Sequence, residues 1–288
     1  MTVVSAMKFN EEEGAMVSDE QASSIPKARK FGLSTKLHYL KPTDKVMLIL
    51  GGSGMSDVLY DAFLRTEAAF EQKLVKTGAE AVRLVAENMV ATKRDYFQGN
   101  LFSEYGLTES DFQTGTVTLP DGRTVNLERG TLEKYHRFLE SRSYQEWNSN
   151  TFIVLEKDDD SIQIYSVSMG TTTPLPISRP YHSIGSGEDM ATDELASFFE
   201  ARNKEDRADI DRVEGVAELL YATEKANVRN IGVGGAPQIK IIHDGKIIDP
   251  TEDNSRLAAE IVKASKRGFL PTEFQREALD ALIYKGED

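Results

Sequence analysis

The chain has 288 residues, of which 40% are hydrophobic and 28% charged, a composition typical of a soluble globular protein. Its 47 acidic residues outnumber 34 basic ones and give a net charge of −13, which argues against a general nucleic-acid binder because such proteins need a basic surface. The absence of cysteine excludes disulfides, thiolate metal sites and a cysteine nucleophile, and a cytoplasmic protein is expected. No apolar run approaches the roughly 20 residues that span a membrane, and the acidic residues 11–13 argue against a secretory signal. The four histidines lack metal-ligand spacing, so we expect neither metal nor cofactor.

The first 60 residues predict β structure. Segments 3–9 and 15–19 flank a polar turn and predict a hairpin at the start of the chain. Residues 20–34 are polar and predict a loop, and 35–40 predicts a third strand. The nearly continuous apolar run 45–50 is typical of a buried strand, and it ends in Gly51-Gly52-Ser53-Gly54.

Pairs of helices alternate with hairpins along the rest of the chain. Apolar spacing predicts helices over 55–76, 79–92, 188–202, 211–226, 254–266 and 272–284. Hairpins are predicted at 151–156 with 162–167 and at 238–243 with 246–248, and a single strand at 182–184. We interpret 1–288 as one domain with an insertion at about 94–150, itself holding a hairpin and a helix over 131–142, and a helical C-terminal extension at about 251–288. This order favours a layered sandwich, with helices covering both faces of packed sheets.

The glycine-rich segment after the buried strand has the local context of a phosphate-binding loop. The pattern fails, because G-x-G-x-x-G starting at Gly52 requires glycine where Asp57 stands, and no Gly-Lys-Ser/Thr follows. The surrounding strands also form hairpins, whereas a dinucleotide fold needs parallel crossovers. A tight turn from strand to helix is the better interpretation, and its amides remain available for chemistry.

Thr2 is a candidate nucleophile if Met1 is removed, since aminopeptidases generally remove Met1 before a small residue. A terminal threonine carries its own base, because its α-amine, with an ordinary pKa near 8, can take the proton of its own hydroxyl. No histidine is then needed, which agrees with the absence of a triad pattern. By itself the feature is weak, because many cytosolic proteins begin with Met-Thr.

Three ordered segments strengthen the hypothesis. Residues 2–9, TVVSAMKF, lead into GAMVSD at 14–19, and Lys36 follows Asp19 by seventeen residues. These segments resemble the opening of a proteasome β-type subunit, where a terminal threonine strand runs into a second strand ending in a small residue and Asp, followed by a catalytic Lys.

Further segments extend the resemblance to roughly two thirds of the chain. Residues 52–57, GSGMSD, are similar to the turn whose backbone amide forms the family's oxyanion hole. Residues 183–187, SIGSG, match its Gly-Ser-Gly segment, and 230–235 falls where it carries an Asp and a Ser before Gly-Gly. The chain is identified as a divergent member of the proteasome β-subunit-like family, with the insertion and the helical tail as additions.

The resemblance implies a role for each matched residue. Thr2 would be the nucleophile, Lys36 would lower the pKa of its amine and hydroxyl, and Asp19 would hold Lys36 charged and oriented. Ser186 would orient the terminal amine, supported by Asn230. Backbone amides at Gly52 or Ser53 would bind the oxyanion, and the register leaves the choice between them open. Asn230 and Val233 replace the family's Asp and Ser, so this support differs in charge and hydrogen bonding.

The resemblance implies an α+β fold, the four-layer αββα sandwich of N-terminal-nucleophile hydrolases. It also implies a threonine-type peptidase that attacks a peptide carbonyl, forms an acyl-enzyme and needs no cofactor. The expected partners are a peptide or protein substrate and further copies of the chain in a homo-oligomer, for which a ring is one form, with no nucleic acid and no membrane. Two alternatives remain open: an amide-bond transpeptidase or ligase with the same nucleophile, and a catalytically silent assembly or scaffold protein.

Overall fold

The computed structural model describes residues 2–20, 22–24, 29–31, 35–73, 75–100, 102–159, 161–229 and 235–285. The predictions that concern Met1, Asn230 and Val233 lie outside these residues.

The described elements alternate between hairpins and pairs of helices. The strands are β1 (Val4–Lys8), β2 (Gly14–Ser18), β3 (Ala22–Ser24), β4 (Arg29–Phe31), β5 (Leu37–Leu40), β6 (Met47–Ser53), β7 (Thr116–Thr118), β8 (Thr124–Asn126), β9 (Thr151–Lys157), β10 (Ile162–Ser168), β11 (Leu175–Pro176), β12 (Tyr181–Ile184), β13 (Gln238–His243) and β14 (Lys246–Ile248). The helices are α1 (Ser56–Gln72), α2 (Gly78–Asn100), α3 (Glu109–Thr114), α4 (Arg129–Leu139), α5 (Arg142–Asn148), α6 (Glu188–Glu200), α7 (Arg212–Arg229), α8 (Glu252–Lys266) and α9 (Thr272–Leu279). A 3₁₀ turn covers Phe102–Tyr105, and a π-helical turn at Asp280–Tyr284 extends α9.

Two five-stranded sheets form the centre of the described fold. Sheet A has the strand order β12-β1-β2-β13-β14, and sheet B has the order β11-β10-β9-β6-β5. Neighbouring strands within both sheets are antiparallel. Two small hairpins, β3–β4 and β7–β8, lie outside these sheets.

Three apolar clusters divide the molecule into layers. The cluster between the sheets contains Val4 and Met16 of sheet A and Ile49 and Ile153 of sheet B. The outer face of sheet A packs on α6 to α9, and the outer face of sheet B packs on α1, α2 and residues of the 102–147 region. Period-two alternation explains this division, because neighbouring residues of a strand point to opposite faces. The predicted α+β class and four-layer αββα sandwich are confirmed.

Several element boundaries depart from the sequence prediction. For example, the helix predicted over 55–76 ends at Gln72, and the helix predicted over 131–142 is replaced by α4 and α5. The second helix was predicted to end near residue 92, yet α2 continues to Asn100, because Phe97 packs on Trp147 and Phe138. Within the predicted 20–34 loop, the described residues include the paired strands β3 and β4. None of the helices in the described part of the chain has the length and apolar composition needed to cross a membrane.

Candidate active site

Thr2 lies at the entry to β1 and is bound through its backbone to the turn that begins α6. Its nitrogen donates to Ser186 Oγ at 3.1 Å. Its carbonyl accepts from Gly187 N at 3.2 Å and from Ser186 Oγ at 3.4 Å. The predicted partners Thr2 and Ser186, separated by 184 residues in sequence, are therefore neighbours in the fold.

Gly185 permits this close approach. Its φ is +101°, and a Cβ at this position would lie 2.2 Å from the Thr2 carbonyl oxygen and 3.2 Å from Ser53 Oγ. Both the backbone conformation and the space exclude a larger residue. The turn at 185–187 thus brings Thr2 close to the end of β6.

Asp19 connects Thr2's strand with Lys36. Its carboxylate Oδ1 accepts from Val3 N at 2.8 Å and from Lys36 Nζ at 2.7 Å. Asp19 is 0% exposed and Lys36 8% exposed, so the ion pair is largely removed from water. Such a pair is stable only because hydrogen bonds satisfy the carboxylate as well as the ammonium.

Burial lowers the pKa of the Lys36 ammonium from its ordinary value, and attraction to Asp19 together with their hydrogen bond opposes that shift. The backbone of Lys36 is held by a distant side chain. Gln238 Oε1 accepts from Lys36 N at 2.8 Å and from Leu37 N at 3.1 Å. Sheet A therefore positions the start of β5, which belongs to sheet B.

The predicted oxyanion segment forms the end of β6 and the turn into α1. Gly52 N donates to the Lys36 carbonyl oxygen at 3.1 Å, so this amide is already engaged within the sheet. The turn that follows is shaped by Asn150, whose Oδ1 accepts from Met55 N at 2.6 Å. Gly54 has φ +136°, and a Cβ there would lie 2.2 Å from Asn150 Oδ1.

A cleft of about 690 Å³ opens beside these residues. Thr2, Lys36 and Gly52 line one side of it, and Leu59 and Phe152 contribute apolar surface. Exposed side chains of α5, Arg142 and Glu146, line it as well and pair with each other at 2.9 Å. The cleft thus joins the candidate nucleophile to residues of the 94–150 region.

His38 and Tyr60 add an aromatic wall to this cleft. The His38 ring stacks on Phe63 with centroids 4.3 Å apart, and Tyr60 lies 5.7 Å from it. Burial, reinforced by the positive charge of Lys240, lowers the pKa of His38 to about 4. The imidazole is therefore neutral near pH 7 and contributes aromatic surface without a charge.

One cluster with possible metal ligands lies elsewhere. The ligand atoms of Glu13, His243 and Asp244 lie within 4.8 Å of one another. However, Arg212 Nη1 lies 2.5 Å from His243 Nε2, and a guanidinium at this nitrogen competes with any cation. The chemistry of this donor set therefore does not favour a metal ion.

Sequence patterns missed two positions that hold the site, Asn150 and Gln238, and gave no role to a third, Gly185. Asn150 and Gln238 act through side-chain to backbone bonds on distant elements, and Gly185 acts through the space it leaves. Only Gly185 carries a signal in the sequence, as a glycine beside the predicted Ser186.

Solved structures similar to this chain include Anbu proteins. Anbu from Yersinia bercovieri, called an ancestral beta-subunit, has a TM-score of 0.62 and 13% identity, covering 94% of this chain and 98% of its own. Anbu from Hyphomicrobium sp. strain MC1 has a TM-score of 0.56 and 11% identity, with coverage of 94% and 98%. A Gly-1 mutant from the same strain gives 0.59 and 12%, with coverage of 93% and 96%. The fold is proteasome-like.

The assignment to the proteasome β-subunit-like family is wrong. No protein-family model matches the chain. No curated protein matches its sequence. The Anbu structures share 11–13% identity with it, which shows a common fold and no more. The segments that suggested the family, among them residues 2–9 and 14–19, include the strands β1 and β2 of this shared fold.

Proposed function

We propose that the chain is an amide-bond hydrolase acting on peptides, with Thr2 as an N-terminal nucleophile. The observation that carries the proposal is the buried Asp19–Lys36 pair, bonded through Asp19 to the residue after Thr2. Burying an ion pair costs desolvation free energy, and a strand can end without such a pair. A catalytic role would account for its position beside the cleft.

Cleavage of the Met1–Thr2 bond would turn the Thr2 nitrogen into an amine. That nitrogen lies 3.1 Å from Ser186 Oγ, a hydrogen bond that would orient the amine toward its own hydroxyl. The amine would take the hydroxyl proton as Oγ1 attacks the carbonyl carbon, and would return a proton to the departing amine. Water would then hydrolyse the Thr2 ester.

Lys36 would favour this proton transfer electrostatically. A cation in the same cleft lowers the pKa of the Thr2 amine and hydroxyl, so more amine is unprotonated near neutral pH. Asp19 would keep the ammonium charged against the cost of burial. It is a positioning residue, since its carboxylate is bound to Lys36 and to Val3.

The oxyanion would be received at the Ser53 end of β6. Gly52 N is bonded to the Lys36 carbonyl and Ser53 pairs with Thr151 of β9, so both predicted amides lie within the sheet and the choice between them stays open. A preorganised donor contributes about 3 kcal/mol to transition-state stabilisation in known cases. Asn150 would fix the orientation of this turn through Met55 N.

The cleft favours an apolar or aromatic substrate side chain, because Leu59, Phe152, Tyr60 and the neutral His38 line it. The chemistry needs no cofactor, since the amine, hydroxyl and ammonium come from the chain. We further propose a homo-oligomer, because one similar structure is called an ancestral beta-subunit. We also propose a cytoplasmic location, with which the absence of cysteine agrees.

The test combines intact mass with covalent labelling. A peptide epoxyketone with an aromatic side chain requires both the hydroxyl and the free amine of a terminal threonine. We expect protein lacking Met1 to gain the mass of one probe, and Thr2→Ala to gain none while melting like the parent. Thr35→Ala is the matched control, because Thr35 borders the same cleft but has no part in the mechanism.

The outcomes separate the alternatives. Full peptidase activity with Met1 retained would refute the mechanism. Loss of Met1 without labelling would favour the silent scaffold. A transpeptidase or ligase would label normally but, given an acceptor peptide, would form a new amide faster than free acid.

A further inference from the structure

A second concave surface lies at the other end of β1 from Thr2. Its volume is about 750 Å³, and its apolar floor includes the partly exposed residues Ile177, Pro180 and Ala196. Lys8 ends β1 here, six residues after Thr2, which corresponds to roughly 20 Å along a strand. This surface, called the basal groove below, is therefore separate from the candidate active site.

The rim of the basal groove is cationic, although the chain carries a net charge of −13. Its basic lining residues are Lys8, Arg179, Lys204 and Arg207, and its acidic lining residues are Glu11 and Glu200. Lys8 pairs with Glu11 at 2.6 Å. Clustered positive charge over an apolar floor is unexpected on a strongly acidic surface.

Three of these cations lack an internal counter-charge. Among the described residues, no carboxylate forms an ion pair with Arg179, Lys204 or Arg207. Arg207 is nevertheless fixed, since its Nε donates to the Arg202 carbonyl at 2.9 Å and its Nη2 to the Glu200 carbonyl at 3.3 Å. A cation held in place by carbonyls has lost side-chain entropy before any ligand arrives, which favours binding of an anion.

The backbone around the basal groove suits an extended ligand. β11 and β12 are edge strands of sheets B and A, and the connection between them, residues 177–180, lines the groove. Edge strands can pair with the main chain of a bound peptide. A compact anion would bind the cations but would contact neither the edge strands nor the apolar floor.

We propose that the basal groove binds an acidic, extended peptide segment of a partner protein. Its carboxylates would meet Arg179, Lys204 and Arg207, and alternate apolar side chains would pack on Ile177 and Pro180. Period-two alternation of acidic and apolar residues is the pattern that an added strand presents to such a surface. The proposal does not depend on Thr2 being a nucleophile.

The test uses the whole protein and a short fluorescein-labelled peptide in which Asp and Glu alternate with Phe and Leu. Fluorescence anisotropy should show saturable binding that weakens as salt is added, because the contacts are ionic. The same peptide with Lys at each acidic position should not bind. The double variant Arg179→Glu/Lys204→Glu should raise the Kd by at least about tenfold, since it places like charges against the ligand.

The matched control is Lys134→Glu/Lys246→Glu, which makes the same charge change at exposed residues outside the groove. It should leave the Kd within about twofold of the parent, because distant surface charges are screened. Equal Kd values for the two double variants would overturn the proposal and place the peptide elsewhere, for instance in the Thr2 cleft. The proposal would also be overturned if the parent did not bind the peptide while Arg179→Glu/Lys204→Glu abolished self-association. The groove would then be an interface between copies of the chain.

Discussion

The carboxylate of Asp19 performs two tasks, since it fixes the backbone at Val3 and neutralises Lys36. An amide at this position can still accept from Val3 N but supplies no charge. Lys36 would then be a buried ammonium that has lost the charge of Asp19. The balance between desolvation and attraction at this pair thus determines both local stability and the charge of the candidate site.

We therefore expect Asp19→Asn to lower the melting temperature and to abolish epoxyketone labelling. Removing one partner of a buried pair costs about 3–5 kcal/mol. The Lys36 pKa should fall further, because the attraction of the Asp19 charge no longer opposes the effect of burial on the ammonium. A thermal melt and mass spectrometry after labelling are the measurements.

Asp159→Asn is the matched control for this variant. Its pair with Lys45 is exposed, with side-chain exposures of 57% and 70%. Exposed pairs contribute only about 0–1 kcal/mol, so this variant should melt and label like the parent. If Asp19→Asn behaved in the same way, the Asp19–Lys36 pair would have no functional part.

Glu156 is a buried acid far from the cleft. It is 2% exposed, and its Oε1 has no hydrogen-bond partner among the described residues. The carboxyl group occupies the space over Gly78 at the start of α2, where an added Cβ would lie 1.5 Å from Oε1. Burial, with a contribution from the nearby Asp158, raises the pKa of Glu156 to about 8.

This shift predicts a loss of stability toward alkaline pH. The folded state holds a proton between about pH 4.5 and about pH 8 that the unfolded chain releases, so the free energy of unfolding falls as pH rises through this range. Glu156→Gln stays neutral and should remove that slope. Urea denaturation should therefore show that the free energy of unfolding of the variant, relative to that of the parent, is higher at about pH 9 than at about pH 5.

Glu67→Gln provides the comparison, because Glu67 is exposed on α1. It should preserve the parent's pH dependence. The same slope in Glu156→Gln and in the parent would mean that another group titrates in this range.

At the scale of elements, local patterns predicted most strands and helices. The hairpin 238–243 with 246–248 coincides with β13 and β14, because Asp244-Gly245 specifies a two-residue turn. The end of α2 was not predictable from a local window. Its last turns are stabilised by the aromatic ring of Trp147, about fifty residues away in sequence.

The candidate site shows the same division between local and distant information. Thr2, Asp19, Lys36 and Ser186 could be selected because they recur in a known order, and the fold brings them together in pairs. Asn150 could not be selected, because its side chain binds the backbone of Met55, which lies 95 residues earlier in the sequence. Spacing along a chain carries no information on such contacts.

The turn between β12 and α6 predicts a steric test of the site. Gly185→Ala should push Thr2 away from Ser186, since the new Cβ would lie 2.2 Å from the Thr2 carbonyl oxygen. Labelling of Thr2 should fall strongly even if the protein still folds. The measurement is the rate of epoxyketone labelling, together with a thermal melt.

Gly245→Ala separates backbone strain from the steric effect. Gly245 also has positive φ, +69°, but nothing lies within 4 Å of its added Cβ. Strain alone costs about 1–2 kcal/mol, so this variant should melt lower and label at the parent's rate. Equal labelling rates in the two glycine variants would contradict the proposed contact at Thr2.

At the scale of the whole molecule, the C-terminal helices are part of the core on sheet A. Ala258 and Val262 of α8 and Leu279 of α9 are buried in the same cluster as Ile239 and Ile241 of β13. Lys266 of α8 also pairs at 2.7 Å with Glu218 of α7, which is 5% exposed. The described residues 251–285 of the predicted extension therefore pack as an outer layer over α7.

Two leucines of this region test whether it unfolds together with the sandwich. Leu279 is fully buried and Leu257 is 50% exposed. Leu279→Ala should lower the free energy of unfolding by about 2–5 kcal/mol, because it leaves a cavity between α9 and the cluster, whereas Leu257→Ala should change it by less than about 0.5 kcal/mol. Urea denaturation followed by both circular dichroism and tryptophan fluorescence is informative here, since Trp147 reports from the opposite outer layer. Coincident shifts of both signals in Leu279→Ala would mean that the four layers unfold as one unit, and a shift confined to circular dichroism would mean that the tail is a separate unit.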